Sequence, residues 1–227
     1  NAKENAREIQ SWDTENESHK IWCIDHMMDV DFIQTAFKKI PSLYIADGHH
    51  RSASSALLAA EIDEDCSNHK DAAYTHFLSY LIPEKQLKIY DYNRLIKNLN
   101  GLTSEEFLEK VKLTFEVKKK GHQPYISSKK HEISMYLAGT FYSLSLRKSK
   151  QEIGTAISQL DTYILQTKLL EPILGITNIR TDKRISYVHG KDSMHQIKTA
   201  IDSGNQAVGF GLFPIQIQEL KAIADSK

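Results

Sequence analysis

The chain is poor in cysteine, and this excludes one large class of protein. Cys23 and Cys66 are the only cysteines among 227 residues, too few for the disulfide framework of a small secreted domain. Their spacing does not match that of a zinc site either. Cys23 lies in an apolar segment, and we expect it to be a buried free thiol in the reducing cytoplasm.

The sequence also lacks an excess of charge and a long apolar run. Its 29 lysines and arginines balance 29 aspartates and glutamates, so net charge does not attract the chain to nucleic acid or to an anionic membrane. No apolar run approaches the roughly 20 residues that span a bilayer, and no signal peptide is visible. We therefore expect a cytoplasmic protein without membrane association, and nucleic acid is a disfavoured partner.

The familiar sequence motifs of phosphate and acyl chemistry are missing as well. The chain has no Walker A sequence, no GxGxxG and no nucleophile elbow. Any catalytic or binding chemistry must therefore come from a less common arrangement of residues.

The elements that are present indicate a mixed α/β (α+β) fold. Apolar residues make up 41% of the chain, enough for a proper core at this length. A first region, residues 1–92, begins with a polar helix end and loop (1–17). It then reads strand, helix, buried strand, helix at 19–24, 31–40, 43–46 and 52–61. Two long strands at 72–82 and 86–92 follow as a hairpin insertion.

The second region, residues 93–227, predicts further helices and strands. A capping box opens a helix at Thr103, and period-two alternation at 132–137 and 141–146 predicts a hairpin with one polar face. Pro172 is expected to kink or end a helix over 159–174. A closing strand–helix–strand–helix series at 185–188, 193–201, 207–212 and 215–224 repeats the order of the first unit. The repeat indicates either a related second unit or a coincidence between two common arrangements.

The most informative segment is the polar turn, which we define as Asp47-Gly48-His49-His50-Arg51. It lies between an apolar run and an alanine- and leucine-rich helical stretch. The amino end of a helix offers backbone N–H groups and a positive dipole, so this position favours an anion.

The residue types of the polar turn suit phosphate chemistry, although each also has a structural interpretation. Asp47 can bind magnesium or act as a base, or it can cap the helix. Gly48 permits positive φ and a close backbone approach. Arg51 suits phosphate or carboxylate, or it can pair with Asp47. His49 and His50 are adjacent and lack the spacing and the third ligand of a zinc site, so no metal centre built from histidines is predicted.

Residues 44–51 resemble the signature of the conserved "domain of unknown function 1015" family. Further segments at 160–161 with 171–176, at 184–190 and at 213–214 with the helix that follows are similar to other family segments, so the resemblance spans most of the chain. Family members are longer at both ends. Together with a first residue other than Met, this leads us to expect a fragment of a longer protein.

A more distant resemblance supplies an expected chemistry. The polar turn is similar to the phosphate-binding loop of the ParB/sulfiredoxin-like superfold, and free serine kinases of that superfold have a nearly identical turn. The resemblance implies that Asp47 is a base or a magnesium-linked carboxylate and that the other four residues hold phosphates. We assign catalytic roles to Asp47 and His50 and ligand binding to Gly48, His49 and Arg51.

The resemblance leads to one leading function and two alternatives. The first is a kinase that uses ATP or ADP with magnesium on a small-molecule substrate. The second is a non-catalytic, nucleotide-gated regulatory or DNA-partition-like protein. The third is a structural module whose polar turn is an internal network. Substrate, nucleotide and oligomeric state stay open.

Overall fold

The computed structural model describes residues 3–15, 17–65, 72–150, 154–190 and 192–226. The chain divides into two compact units, residues 1–79 and 80–227. This division falls earlier in the chain than the boundary predicted after residue 92. Cys66 lies outside the described residues, and Cys23 is a free, half-buried thiol rather than a fully buried one.

The first unit contains a two-stranded antiparallel sheet and two helices. The elements are β1 (Arg7–Asp13), β2 (Ser18–Cys23), α1 (Met27–Phe37) and α2 (His49–Asp65). The predicted strand and two helices at 19–24, 31–40 and 52–61 are confirmed within a few residues. β1 was not expected, because its polar and charged sequence indicates a loop. In the structure it becomes a strand by pairing with β2.

The prediction of a buried strand at 43–46 is wrong. These residues are in neither strand nor helix, and Leu43, Tyr44 and Ile45 are 63%, 42% and 52% exposed. An apolar run forms a strand only where a partner strand takes up its backbone N–H and C=O groups. β2, the strand that precedes this run in the chain, pairs instead with β1. The first unit is therefore strand–strand–helix–helix, and the expected strand–helix–strand–helix order is absent.

The second unit is built on a six-stranded sheet in the order β4-β6-β5-β8-β3-β7, with antiparallel pairing throughout. Its strands are β3 (Tyr92–Ile96), β4 (Phe115–Gly121), β5 (Glu132–Leu137), β6 (Thr140–Leu146), β7 (Ile185–His189) and β8 (Val208–Gly211). Its helices are α3 (Ser104–Thr114), α4 (Asp161–Leu165), α5 (Glu171–Leu174), α6 (Ser193–Asp202) and α7 (Ile217–Asp225).

Several locally encoded elements of this unit are confirmed. The Thr103 hydroxyl accepts the Glu106 N–H, while the Glu106 carboxylate accepts the Thr103 N–H, so the capping box of α3 is complete. The β5–β6 hairpin turns through Ala138 and Gly139, both at positive φ. The closing elements β7, α6, β8 and α7 occur in the predicted order.

Other elements differ from what the sequence predicts. Short 3₁₀ turns at Ala73–Thr75 and Glu84–Gln86 replace the two long strands of the expected hairpin insertion. The β5–β6 hairpin has no exposed polar face, because every residue of β5 is buried. The helix over 159–174 contains a π-helical segment, Gln166–Leu170, just before Pro172. Proline has no N–H to donate to the helix, and a π-helical turn accommodates the hydrogen bond that is missing. The helical path therefore continues to Gly175.

The pairing registers divide the sheet into two covered faces. Ile96, Phe210 and Met135 lie on one face, under α3 and the α4–α5 segment. Leu95, Val188 and Tyr136 lie on the other, under Met194 and Ile197 of α6. β7 and β8 are both antiparallel to β3, which lies between them. In the closing series, β7 and β8 therefore run parallel to each other, and β3, which comes from earlier in the chain, lies between them.

Candidate functional site

The polar turn forms the start of α2. The Ser52 N–H donates to the Gly48 carbonyl at 2.9 Å, which is the first bond of the helix. The N–H groups of His49, His50 and Arg51 precede that bond and have no intrahelical acceptor. Gly48 has φ of +80°, a conformation that glycine adopts without the strain of a side chain. The sequence therefore places a glycine where the chain turns sharply into the helix.

The charged side chains of the polar turn lie in the open. Asp47 and Arg51 are 97% and 86% exposed, with 3.9 Å between Asp47 Oδ2 and Arg51 Nη2. The Arg51 side chain lies back over Gly48, since a Cβ on that glycine would be 3.5 Å from Arg51 Nη2. An exposed ion pair of this length contributes about 0–1 kcal/mol to stability. The turn is thus held by its backbone, and its side chains are available to a ligand.

The electrostatics of the turn favour an anion. All five residues line an open depression of about 410 Å³. The first turn of α2 contains no acidic residue, although acidic residues are usual there because they balance the helix dipole. The first turn of α2 contains His49, His50 and Arg51 instead. Free N–H groups, the dipole and a guanidinium therefore point to the same small volume.

The five predicted site residues lie along one turn, and among the described residues no others line the depression. Asp25, which follows β2, pairs with Arg7, with 3.3 Å between Arg7 Nη2 and Asp25 Oδ2. His26 immediately precedes α1 and lies 3.9 Å from Asp29. In the part of the chain that the structure describes, no group of three or more His, Cys, Asp or Glu is arranged to hold a metal ion. Within that part, no helix is long and apolar enough to cross a membrane.

The charged loop after α5 has a structural task. Arg184 Nη2 lies 2.7 Å from Asp182 Oδ2, and the same guanidinium donates to the carbonyls of Leu174 and Gly175. The hydrogen bonds between Arg184 and Asp182 lower the pKa of the Asp182 carboxyl and raise that of Arg184. The guanidinium therefore closes the carboxyl end of α5.

Asp161, which lies in another family-like segment, also serves the fold. Its carboxylate accepts the His131 N–H at 2.9 Å and contacts the His131 ring at 3.2 Å. His131 has φ of +66°, so the buried carboxylate fixes a strained residue at the start of β5. Burial raises the pKa of Asp161, and the contacts with His131 oppose that rise.

Sequence reasoning missed one chemically distinctive residue, Arg94. It lies in the middle of β3 and is 5% exposed. The predicted strand ended at residue 92, although the pattern Tyr92-Asn93-Arg94-Leu95-Ile96 continues it. An arginine inside a strand-like apolar run is the signal that could have identified it.

Comparison with known proteins identifies the family. The family model described as "Protein of unknown function (DUF1015)" matches residues 1–163. The chain belongs to the DUF1015 family. The matched range contains the polar turn, all of the first unit and the second unit as far as α4. No curated protein and no solved structure matches this DUF1015 protein.

Proposed function

We propose that this DUF1015 protein is a nucleotide-dependent phosphotransferase of the free-serine-kinase type, which binds nucleotide phosphates at the polar turn. One observation carries the proposal. Four side chains with anion or proton chemistry, those of Asp47, His49, His50 and Arg51, lie exposed at a helix start, where the 3.9 Å ion pair between Asp47 and Arg51 adds little to stability. Their similarity to the phosphate-binding loop of the ParB/sulfiredoxin-like superfold supplies the reaction class.

Each residue of the polar turn has a role in this proposal. Gly48 and the N–H groups of His49 and Arg51 hold the phosphate oxygens, and the Arg51 guanidinium neutralises their charge. His50 donates a hydrogen bond to the terminal phosphoryl group. Magnesium takes one or two carboxylates together with phosphates and water, and the exposed Asp47 carboxylate fits that donor set. When bound, magnesium would withdraw charge from the phosphates.

The transfer itself requires a base and an acceptor hydroxyl. In the arrangement in which Asp47 is the base rather than the magnesium ligand, its carboxylate accepts the hydroxyl proton while the hydroxyl oxygen forms a bond to the terminal phosphorus. The bond from that phosphorus to its bridging oxygen breaks, and the shortened nucleotide leaves with the electron pair. The substrate class is a small molecule with a free hydroxyl group, and either ATP or ADP can serve as donor.

Isothermal titration of the full-length protein with ATP, ADP and CTP, each with magnesium, tests the binding step. We expect Arg51→Ala to weaken binding about tenfold or more, because a charge-assisted hydrogen bond is worth about 1.5–3 kcal/mol. Arg7→Ala is the matched control. Arg7 is also an exposed arginine of the first unit with an acidic partner, so its variant should bind normally. No binding by any of the three nucleotides would overturn the proposal.

Turnover and stability separate the proposal from its alternatives. A kinase consumes nucleotide only when an acceptor such as free serine is present, whereas a nucleotide-gated switch needs no acceptor. We expect Asp47→Asn to bind nucleotide and to lose transfer. A DNA-partition-like protein would instead bind DNA with a steep salt dependence. If Asp47→Asn and Arg51→Ala lower stability and leave binding unchanged, the turn is a structural network.

A further inference from the structure

The second unit contains a buried arginine, Arg94, that has no hydrogen-bond acceptor or acidic partner among the described residues. Arg94 lies in the middle of β3, next to the edge strand of the sheet, and is paired with Tyr187 of β7 on one side and Phe210 of β8 on the other. It is 5% exposed, and its Nη1 atom is buried without a hydrogen-bond acceptor among the described residues. Within the same residues, its guanidinium forms no ion pair. Burying an unpaired charge is costly, and structures rarely retain one without a reason.

Aromatic rings enclose this guanidinium. Arg94 Cζ lies 5.3 Å from the centre of the Tyr92 ring and 5.2 Å from that of Tyr187. The two rings stack on each other, with 4.7 Å between their centres. Cation–π contact offsets part of the burial cost, but a ring face does not accept the directed hydrogen bond that Nη1 offers. Desolvation lowers the pKa of Arg94, which agrees with a charge that lacks a counter-ion.

The acidic residue nearest in sequence is engaged elsewhere. Asp91 Oδ2 accepts hydrogen bonds from the Asn93 amide at 2.5 Å and from the Ser193 hydroxyl at 2.9 Å. Ser193 begins α6, which covers the opposite face of the sheet. Asp91 therefore does not supply the missing acceptor of Arg94.

The aromatic rings beside the guanidinium are partly exposed. Tyr92 is 50% exposed, and the exposed His189 ring stacks beside it at 6.4 Å. Tyr187 is held in place because its hydroxyl donates to the Ile179 carbonyl at 2.9 Å. The Tyr92 and His189 rings are therefore the part of this group that solvent reaches, and the Tyr92 ring lies next to the buried guanidinium.

We propose that Arg94, Tyr92 and Tyr187 form an anion-binding site that takes the carboxylate or phosphate group of a small ligand. The anionic oxygen accepts from the unpartnered Nη1 of Arg94, and the rest of the ligand lies against the exposed Tyr92 ring. A guanidinium suits both anions because its donors match the spacing of their oxygens. The site belongs to the second unit and does not depend on the function proposed for the polar turn.

An NMR titration of the full chain labelled with ¹⁵N-arginine tests this site directly. Inorganic phosphate and acetate are the two probes, each added at constant ionic strength. We expect the Arg94 Nε resonance to shift and saturate with at least one of them, while the exposed Arg180 resonance does not. A response to phosphate alone assigns a phosphate ligand, to acetate alone a carboxylate, and to both an anionic group of either kind.

Variants separate this site from the polar turn. The NMR response of Arg94 should persist in Arg51→Ala, which removes the guanidinium of the turn. An anion-dependent rise in melting temperature should likewise be retained in Arg51→Ala. Arg94→Met should abolish that rise. Arg180→Gln, which removes an exposed arginine of the same unit, should keep that rise. Arg94→Lys serves as a second variant, and we expect its affinity for the anion to fall about tenfold because lysine lacks the planar fork. No saturable Arg94 shift with either probe, or an equal rise in Arg94→Met, would overturn the proposal.

Discussion

At the residue scale, Tyr136 shows how a polar group is accommodated inside the sheet. The residue is fully buried on the α6 face of β5. Its hydroxyl donates to Asp202 Oδ1 at 2.7 Å and accepts from Lys198 Nζ at 3.0 Å. Both partners lie on α6, so one hydroxyl connects the central sheet to the helix that covers it. Burial raises the pKa of Tyr136, the Asp202 contact adds to that rise, and the Lys198 contact opposes it.

We expect Tyr136→Phe to lower the free energy of unfolding by about 1 kcal/mol at neutral pH, because both hydrogen bonds are lost. Because the pKa of Tyr136 is raised in the folded state, the difference in free energy of unfolding between wild type and variant depends on pH. As pH rises above about 10, the tyrosine ionises first in the unfolded chain, so the wild type loses stability that the phenylalanine variant keeps. Urea unfolding of both proteins at neutral and at alkaline pH should show that the stability difference between them becomes smaller at the higher pH.

Tyr142→Phe is the matched control, because the Tyr142 hydroxyl makes no hydrogen bond to a described residue and its ring packs beside the same sheet. It should leave stability nearly unchanged at neutral pH. Equal losses in the two variants would show that the hydroxyl network around Tyr136 does not stabilise the fold.

At the element scale, two glycines of β8 determine how closely α6 lies on the sheet. A Cβ on Gly209 would be 2.4 Å from Ile197 Cγ2, and one on Gly211 would be 2.6 Å from Met194 Sδ. Neither contact is possible unless the side chain of Ile197 or Met194, or α6 itself, moves. α6 also contacts β5 and β7, so a shift would disturb its packing against several strands.

Gly209→Ala should lower stability by about 1–3 kcal/mol, the usual cost of overpacking a core. Ile197→Ala removes the atom that the new methyl group would meet. The double variant should therefore be more stable than the sum of the two single losses predicts. Urea unfolding of the four proteins gives this coupling energy, and a coupling near zero would show that α6 does not require a glycine at this position.

At the scale of the whole molecule, the two units differ in how they are stabilised. No described residue of the first unit is buried, and its exposed apolar side chains include Trp22, Phe32 and Leu57. The second unit contains two buried clusters, one on each face of its sheet. Because burial of apolar surface is the main favourable term in folding, nearly all of the stability seen in the described residues resides in the second unit.

This difference predicts a contrast in amide hydrogen exchange of the full chain. Amides of β5, β6 and β8 should exchange only through global unfolding, whereas those of β2, α1 and α2 should exchange through local opening and at least about a hundredfold faster. Exchange measured by mass spectrometry on peptides from both units tests the contrast. Equal protection of the two units would show that the first unit buries more surface in solution than the structure does. Repeating the measurement with magnesium and ATP shows whether protection of α2 rises, as binding at the polar turn requires.

The amino-acid sequence by itself determined the features that depend on neighbouring residues. The capping box at Thr103 and the turn of the β5–β6 hairpin follow from side-chain chemistry within a few residues of each element. The start of α2 at a glycine with positive φ follows in the same way. Local hydrogen bonds and allowed backbone angles are sufficient for these, which is why the candidate site could be found before the fold was known.

Only the tertiary structure decided which strands pair and what covers them. The run at 43–46 has the composition of a strand but pairs with no strand among the described residues, and β3 enters the sheet between β7 and β8 from a distant part of the chain. The alternation in β5 predicted an exposed polar face, yet α6 covers that face. Arg94 is buried for the same reason, since strands on both sides and their rings enclose it. Pairing and covering depend on residues far away in the sequence, and no local pattern encodes them.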